Sequence, residues 1–421
     1  SAARPVVTRR VLVLAPEPIR PKMAGMGIRA LELARALSRE FDVRLLVPND
    51  ASEAAAAAGQ VPVETAAAGA LRSAARGADA AVVSGHAANW WFHQVPDLPV
   101  AVDLYDPFFI ENLHYVASLG EETARHDHAT LDLALARGDF FLCASPEQRL
   151  FYAGALYSRG RVGARNFPFD PALSKLLAVV PFGAPWERAA GDASAGRRAA
   201  GLPPDGPIVL FGGIYDWYDP ELLLEAWPGI LRKHADAKLL FFENPNPEST
   251  PQRVYARARE MARAVDPRGH SVLFIPWFPY TARADLYAAV DVAVSISSGG
   301  LETDLAFRTR LLDAAWGGVY SVSVGGGPIA HALERAGAGL TVEPTASAVA
   351  NAVSALLSDT GRRQSGSEAA RGFAAVHAWS YVTGALAAWC RDGRMDPGRL
   401  SFPAAGSPSL WRRLSDRRKR S

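Results

Sequence analysis

Only two cysteines, Cys143 and Cys390, occur among the 421 residues. They lie far apart in apolar surroundings, without the spacing of a metal clip or a redox pair. That argues against a disulfide-stapled scaffold, and a reducing, cytoplasmic compartment is expected. Excess charge of one sign is also missing. The formal net charge is +2, so the chain as a whole is not a polyanion binder and no nucleic-acid partner is expected. Long apolar runs are absent: none reaches the roughly 18 residues of a membrane-spanning helix. Thr8-Arg9-Arg10 leads into a short apolar stretch rather than a long one, so no secretory leader is expected. No G-x-G-x-x-G follows that first apolar stretch, which argues against a NAD-dependent dehydrogenase.

What is present is apolar sequence in short, regular pieces. Hydrophobic residues make up 49%, enough for packed cores, and the length favours two or three domains. Abundant Ala, Arg and Gly hint at a bacterial source. Val11 to Ala15, Val43 to Val47, Ala81 to Val83, Val100 to Val102 and Phe140 to Leu142 read as buried strands. Pro16 to Gly27 reads as a loop and Ile28 to Ser38 as an amphipathic helix. The same alternation restarts at Ile208-Val209-Leu210-Phe211-Gly212-Gly213. It runs on through helices expected at 221–234, 253–265, 281–289 and 305–316 and strands at 238–242, 272–275, 292–296 and 319–324. A last helix is expected over 371–390. Alternating strand and helix implies parallel, doubly wound sheets. The expected architecture is α/β: two Rossmann-like domains facing a cleft. The expected division is 1–186, a linker over 187–206, a second domain over 207–370, a terminal helix over 371–395 that crosses back to the first domain, and a basic tail over 396–421.

One stretch carries the clearest chemistry. Ser297-Ser298-Gly299-Gly300 ends a strand and favours a tight turn. A helix then follows with Phe307, Arg308, Thr309, Arg310 and Asp313. A helix N-terminus offers unpaired N–H groups and a positive dipole end, so it attracts anions. Arginines in its first turn suit a phosphate. A carboxylate one turn on suits a vicinal diol. Together these point to a nucleotide-diphosphate ligand.

At this point the chain resembles the GT-B glycosyltransferases, most closely the large retaining family four. The matching pieces are Gly25-Met26-Gly27-Ile28-Arg29, Val180-Pro181-Phe182-Gly183, Phe211-Gly212-Gly213, Pro276-Trp277-Phe278, Leu312-Asp313-Ala314-Ala315 and Ala378-Trp379-Ser380. Their order and spacing span most of the chain. The resemblance implies transfer of a sugar from a nucleotide-diphosphate donor to an acceptor hydroxyl, without an essential metal or other cofactor. The donor would sit in the second domain, with the acceptor leaning on the first.

Carried over residue by residue, the resemblance places Asp313 on the ribose and Phe307, Arg308 and Thr309 at the diphosphate. Gly25 and Gly27 would let the first domain approach the phosphates, Gly213 would open the donor domain, and Trp277 would contact the base. Asp106, in Asp103-Leu104-Tyr105-Asp106-Pro107, replaces a His-Asp pair near the anomeric centre, and His86 is a second cleft candidate. Both join Glu302 as catalytic candidates. Two departures stand out. The family's first acid would fall on Leu305, so Glu302 is displaced from the usual position. The Asp216-Trp217-Tyr218-Asp219-Pro220 loop lacks the usual arginine and lysine. Asp216 is expected at the donor, whereas Asp219 before Pro220 reads as a helix cap.

The acceptor stays open among a glycan, a lipid-linked molecule and a small molecule. The pathway stays open between polysaccharide or glycolipid assembly and natural-product glycosylation. The tail Arg417-Arg418-Lys419-Arg420 offers peripheral contact with the inner membrane face. The alternatives are a GT-B sugar-nucleotide epimerase and a catalytically silent nucleotide-sugar-binding subunit.

Overall fold

The structure is a computed structural model that describes residues 8–95, 97–248 and 250–400. The basic tail from 401 onward lies outside the described residues.

Two parallel sheets organise the chain. The first contains β1 (Arg10–Leu14), β2 (Asp42–Val47), β3 (Val63–Thr65), β4 (Ala80–Ser84), β5 (Val100–Asp103), β6 (Phe140–Cys143) and β7 (Leu177–Val179). Its order is β3-β2-β1-β4-β5-β6-β7. The second contains β8 (Ile208–Gly213), β9 (Lys238–Phe242), β10 (Val272–Ile275), β11 (Val292–Ile296), β12 (Tyr320–Val324) and β13 (Gly339–Thr341). Its order is β10-β9-β8-β11-β12-β13.

The apolar runs become central strands because both sheet faces are covered. Val11 and Val13 enter one core cluster, while Leu12 and Leu14, pointing the other way, enter another. Val209 and Phe211 likewise part from Ile208 and Leu210. A strand buried on both faces needs no polar alternation, so the runs are continuous. Strand order reverses between β1 and β4 and between β8 and β11. Crevices for ligands open at the carboxyl ends of strands at such points.

Several helices differ from expectation. The first runs Gly25–Leu37, so Gly25 and Gly27 belong to its first turn and not to a preceding loop. The helix expected over 305–316 starts only at Thr309 and runs to Gly317, and a separate short helix, Leu301–Leu305, precedes it. Gln148 of the first domain donates from Nε2 to the Leu305 carbonyl at 2.8 Å. That bond satisfies the end of the short helix from outside, where a continuing helix would otherwise do so. The terminal helix is also longer and broken: Thr360–Val376, Trp379–Val382 and Gly384–Asp392.

The chain ends against the first domain. Trp389 stacks on Phe140 at 5.7 Å, and Trp379 packs on Phe182 at 4.9 Å. Arg391 pairs with Glu40. Both cysteines are buried and unpaired. Among the described residues no helix is long and apolar enough to cross a membrane.

Candidate functional site

A cavity of about 340 Å³ lies between the domains, where β1, β5, β8 and β11 end. Two helix N-termini converge on it. The Gly25–Leu37 helix has no side-chain cap at its N-terminus, and neither does the Thr309–Gly317 helix. Gly25, Met26, Thr309, Arg310 and Leu311 all line the cavity. A Cβ on Gly25 would stand 3.2 Å from the Tyr105 hydroxyl and 3.8 Å from Thr309 Cγ2. The two termini therefore nearly touch through a glycine, and both turn positive dipole ends toward one space; at the Gly25 terminus the Glu17 carboxyl faces the Gly27 amide, and at the other Leu311 donates to the Arg308 carbonyl. Such a place suits a polyanion held between domains.

The turn before the second terminus is glycine-dependent. Gly299 and Gly300 hold φ of +79° and +88°, which L-residues with side chains rarely adopt. The chain then doubles back so that Arg308 can meet Glu302. Arg308 donates from Nη1 to Glu302 Oε1 at 2.7 Å and from Nη2 to Oε2 at 2.5 Å. Both side chains are buried, and the Arg308 guanidinium also stands 4.8 Å from the Tyr218 ring. Arg308 and Phe307 line the cavity, but Glu302 lies behind Arg308. Arg310 is anchored differently: it donates to the carbonyls of Phe211 at 2.8 Å and Gly213 at 2.6 Å.

Gly213 and Trp277 form a second close contact. A Cβ on Gly213 would sit 2.5 Å from the Trp277 ring, so glycine is needed for the indole to lie there. Trp277 then donates from Nε1 to the Met23 carbonyl of the first domain at 3.0 Å. Gly27 packs under the Gly25 turn near Met23 and does not line the cavity. Asp313 does line it. Burial raises the pKa of its carboxyl, and Arg283 opposes that.

Asp216 and His86 are placed differently from expectation, and Asp219 as expected. Asp216 does not line the cavity. Its carboxylate accepts from the Val254 amide and from Arg253 Nε, both at 3.1 Å, and so caps the helix Arg253–Val265. Asp216→Ala is expected to lower stability by about 1 kcal/mol while leaving donor KM unchanged; urea titration and steady-state kinetics measure the two. Asp219 caps the Pro220–Leu231 helix through the Leu222 amide at 3.0 Å. His86 lies outside the cavity lining, where its Nε2 is 3.0 Å from Asp127 Oδ1 and its ring stacks on His126 at 5.2 Å. A histidine–acid pair thus exists that the sequence does not show as a motif. Arg29, next to the glycines, adds no charge to the cleft either. It is buried, and its Nε and Nη2 donate to Asp103 at 2.6 and 2.9 Å.

The cavity also holds carboxyls that sequence reasoning missed. Glu17 follows β1, and Glu111 follows Phe108-Phe109-Ile110. Both line the cavity beside Asp106. Burial, then the charge of Asp106, pushes Glu17 up to about 7, against the Gly27 amide that faces its carboxylate. Burial pushes Asp106 up to about 6; a hydrogen bond with Glu111 works against this, and the charges of Asp103 and Glu302 add to it. Glu111 is held well above the carboxylate range by burial, then by Asp106 and Glu302. Position after a strand end was the available signal for Glu17; nothing local marked Glu111.

Glu17 gives a signed pH dependence. Neutral, it leaves the Gly25 helix terminus free for a ligand phosphate; ionised, it occupies the Gly27 amide and repels the phosphate. Affinity for a sugar nucleotide, whose diphosphate is already fully ionised, is therefore expected to fall as pH rises through about 7. Calorimetric titration of wild type and Glu17→Gln checks this, because the variant should lose the fall. The raised pKa has a matching effect on the ligand-free fold, whose stability declines as pH rises from the ordinary 4.5 toward about 7.

Comparison with known proteins fits this geometry. Residues 206–359 match the family described as glycosyl transferases group 1. No curated protein matches the chain. Solved structures align over nearly the full length. HepE of Anabaena, in complex with UDP-glucose, aligns at 14% identity and TM-score 0.66, covering 91% of this chain and 99% of its own. Sucrose-phosphate synthase of Thermosynechococcus elongatus aligns at 14% identity and TM-score 0.64, covering 91% and 98%. A glycosyltransferase of Rickettsia africae aligns at 13% identity and TM-score 0.64, covering 92% and 98%. Among the described residues no group of three or more His, Cys, Asp or Glu side chains is arranged to hold a metal ion. The chain has the two-domain GT-B fold, and its second domain carries the sequence signature of the glycosyl transferases of group 1.

Proposed function

We propose that this protein is a glycosyltransferase that moves a sugar from a nucleoside-diphosphate sugar to an acceptor hydroxyl with retention at the anomeric carbon. The observation that carries this reading is the convergence of two helix N-termini, one from each domain and neither capped by its own N-cap side chain, on a single cavity. The diphosphate lies between them, with Arg308 beside it and Asp313 accepting from the ribose diol. Trp277 borders the base. Charge developing on the leaving diphosphate is met by N–H groups already aimed at it, so little reorganisation is needed. As the bond from the anomeric carbon to the phosphate oxygen breaks, the acceptor oxygen bonds to that carbon and its proton passes to the diphosphate. Asp106 borders the sugar from the first-domain side, where an ionised carboxylate stabilises positive charge on the ring. The complex of HepE with UDP-glucose supports a uridine donor by analogy of fold.

The carboxyl set Glu17, Asp106 and Glu111 favours a second reading, an epimerase that removes and returns a sugar proton. One experiment separates the two. UDP-, GDP- and ADP-sugars are incubated in heavy water with and without a panel of acceptors. Nucleotide release that depends on an acceptor supports transfer. Deuterium entering the sugar without an acceptor supports epimerisation. Neither event with any sugar, despite tight nucleotide binding, would leave a silent binding subunit.

A further inference from the structure

Asp313 does not stand alone on the wall of the cavity. Arg283 Nε lies 3.5 Å from its Oδ1. That distance is an ion pair rather than a hydrogen bond. Arg283 opens the helix Arg283–Ala289, and only 9% of its side chain is exposed. It does not line the donor cavity, so it reaches a donor only through Asp313.

Its guanidinium lies against two aromatic rings. It stands 3.8 Å from the centre of the Tyr280 ring and 4.8 Å from that of Trp316. Cations over aromatic faces are held with little freedom when desolvated. Both rings are themselves fixed. The Tyr280 hydroxyl donates to Glu32 at 3.0 Å, and its amide donates to the Pro21 carbonyl at 2.9 Å. The Trp316 indole donates to the Glu187 carbonyl at 2.8 Å. No hydrogen bond partners Arg283 Nη1. The cation is therefore placed for its charge and position beside Asp313, with few bonds of its own.

We propose that Arg283, lying against Tyr280 and Trp316, is a positioning residue that orients the Asp313 carboxylate toward the ribose diol and so sets preference for ribonucleotides over 2′-deoxyribonucleotides. The inference rests on the reading of Asp313 as the ribose acid. Pro21 and Glu32 lie in the first domain, so the grip on ribose also depends on the two domains keeping this arrangement.

The test compares UDP with 2′-deoxy-UDP, GDP with 2′-deoxy-GDP and ADP with 2′-deoxy-ADP, using the pair that wild type binds tightest. Calorimetry on the full chain reads the ratio of affinities. Wild type is expected to favour the ribonucleotide by tenfold or more, in keeping with about 1.5–3 kcal/mol for a hydrogen bond to a charged group. Arg283→Met should bring the ratio close to one, mainly by weakening the ribonucleotide. Arg283→Lys, which keeps the charge but loses the planar stack, should keep part of the ratio and guards against loss of fold. Asp313→Asn separates the two levels of the account. If it abolishes the ratio and Arg283→Met does not, the positioning role is overturned and the ribose acid stands. If Asp313→Asn leaves the ratio intact, the ribose assignment fails and the positioning role falls with it. Equal weakening of both nucleotides in Arg283→Met and Arg283→Lys would also overturn the proposal, because a purely structural role acts that way.

Discussion

Gly25→Asp is expected to weaken nucleoside-diphosphate binding by more than about 100-fold without unfolding the protein. The substitution sets a carboxylate at the start of the Gly25–Leu37 helix, on the cavity wall next to Thr309. An acid there would satisfy the helix N–H groups that the account assigns to phosphate, and it would also repel the ligand. Like charges brought together at a binding surface cost several kcal/mol, and each 1.4 kcal/mol is tenfold in affinity. Gly25→Ala is the control. Its methyl meets the Tyr105 hydroxyl at 3.2 Å, a contact that a small shift of the phenol relieves. A loss of about tenfold or less is expected. Calorimetry with UDP, GDP and ADP reads both, and thermal melts confirm that each variant is folded. Similar losses for alanine and aspartate would show crowding, not charge, and would remove the phosphate from this terminus.

Glu302→Gln is expected to lower stability by about 3–5 kcal/mol while leaving diphosphate affinity intact. The two Glu302 oxygens accept both Arg308 Nη groups in a buried pair. Removing one partner leaves the other charge buried without compensation. Arg308→Met should show a comparable loss of stability and lose diphosphate affinity as well, since only Arg308 lines the cavity. The double variant should recover part of the stability, because neither charge remains uncompensated. Urea denaturation of the four proteins closes the cycle. If Glu302→Gln instead lowers kcat with stability unchanged, the carboxylate acts on the sugar and its bond to Arg308 is incidental.

The sequence reads as one helix from Leu305 to Trp316, with no breaker at Ala306 to Arg308. At the break, over Ala306 to Arg308, the Leu305 carbonyl is met by Gln148, which lies far away in sequence and reaches it across the domain boundary. The Glu302–Arg308 pair is possible only because of that break. The alternation of strands, by contrast, was legible because both faces of β1 and β8 are buried and leave unbroken apolar runs. Asp219 was legible as a cap because its partner is three residues away. Asp216 was not, because the helix it caps begins 37 residues later, at Arg253. The buried pair of Arg29 was hidden for a related reason: its partner Asp103 comes from β5, far away in sequence. The carboxyls Glu17 and Glu111 carry no motif; the first domain's own fold gathers them beside Asp106, since β1 and β5 end at the same edge of its sheet.

A crystal structure of the protein with the nucleoside diphosphate it binds tightest tests the central claim most directly. The account predicts phosphate oxygens within hydrogen-bond distance of backbone amides at the starts of both the Gly25 and Thr309 helices, with the ribose hydroxyls on Asp313. Phosphates held elsewhere, or a ribose turned away from Asp313, would contradict it.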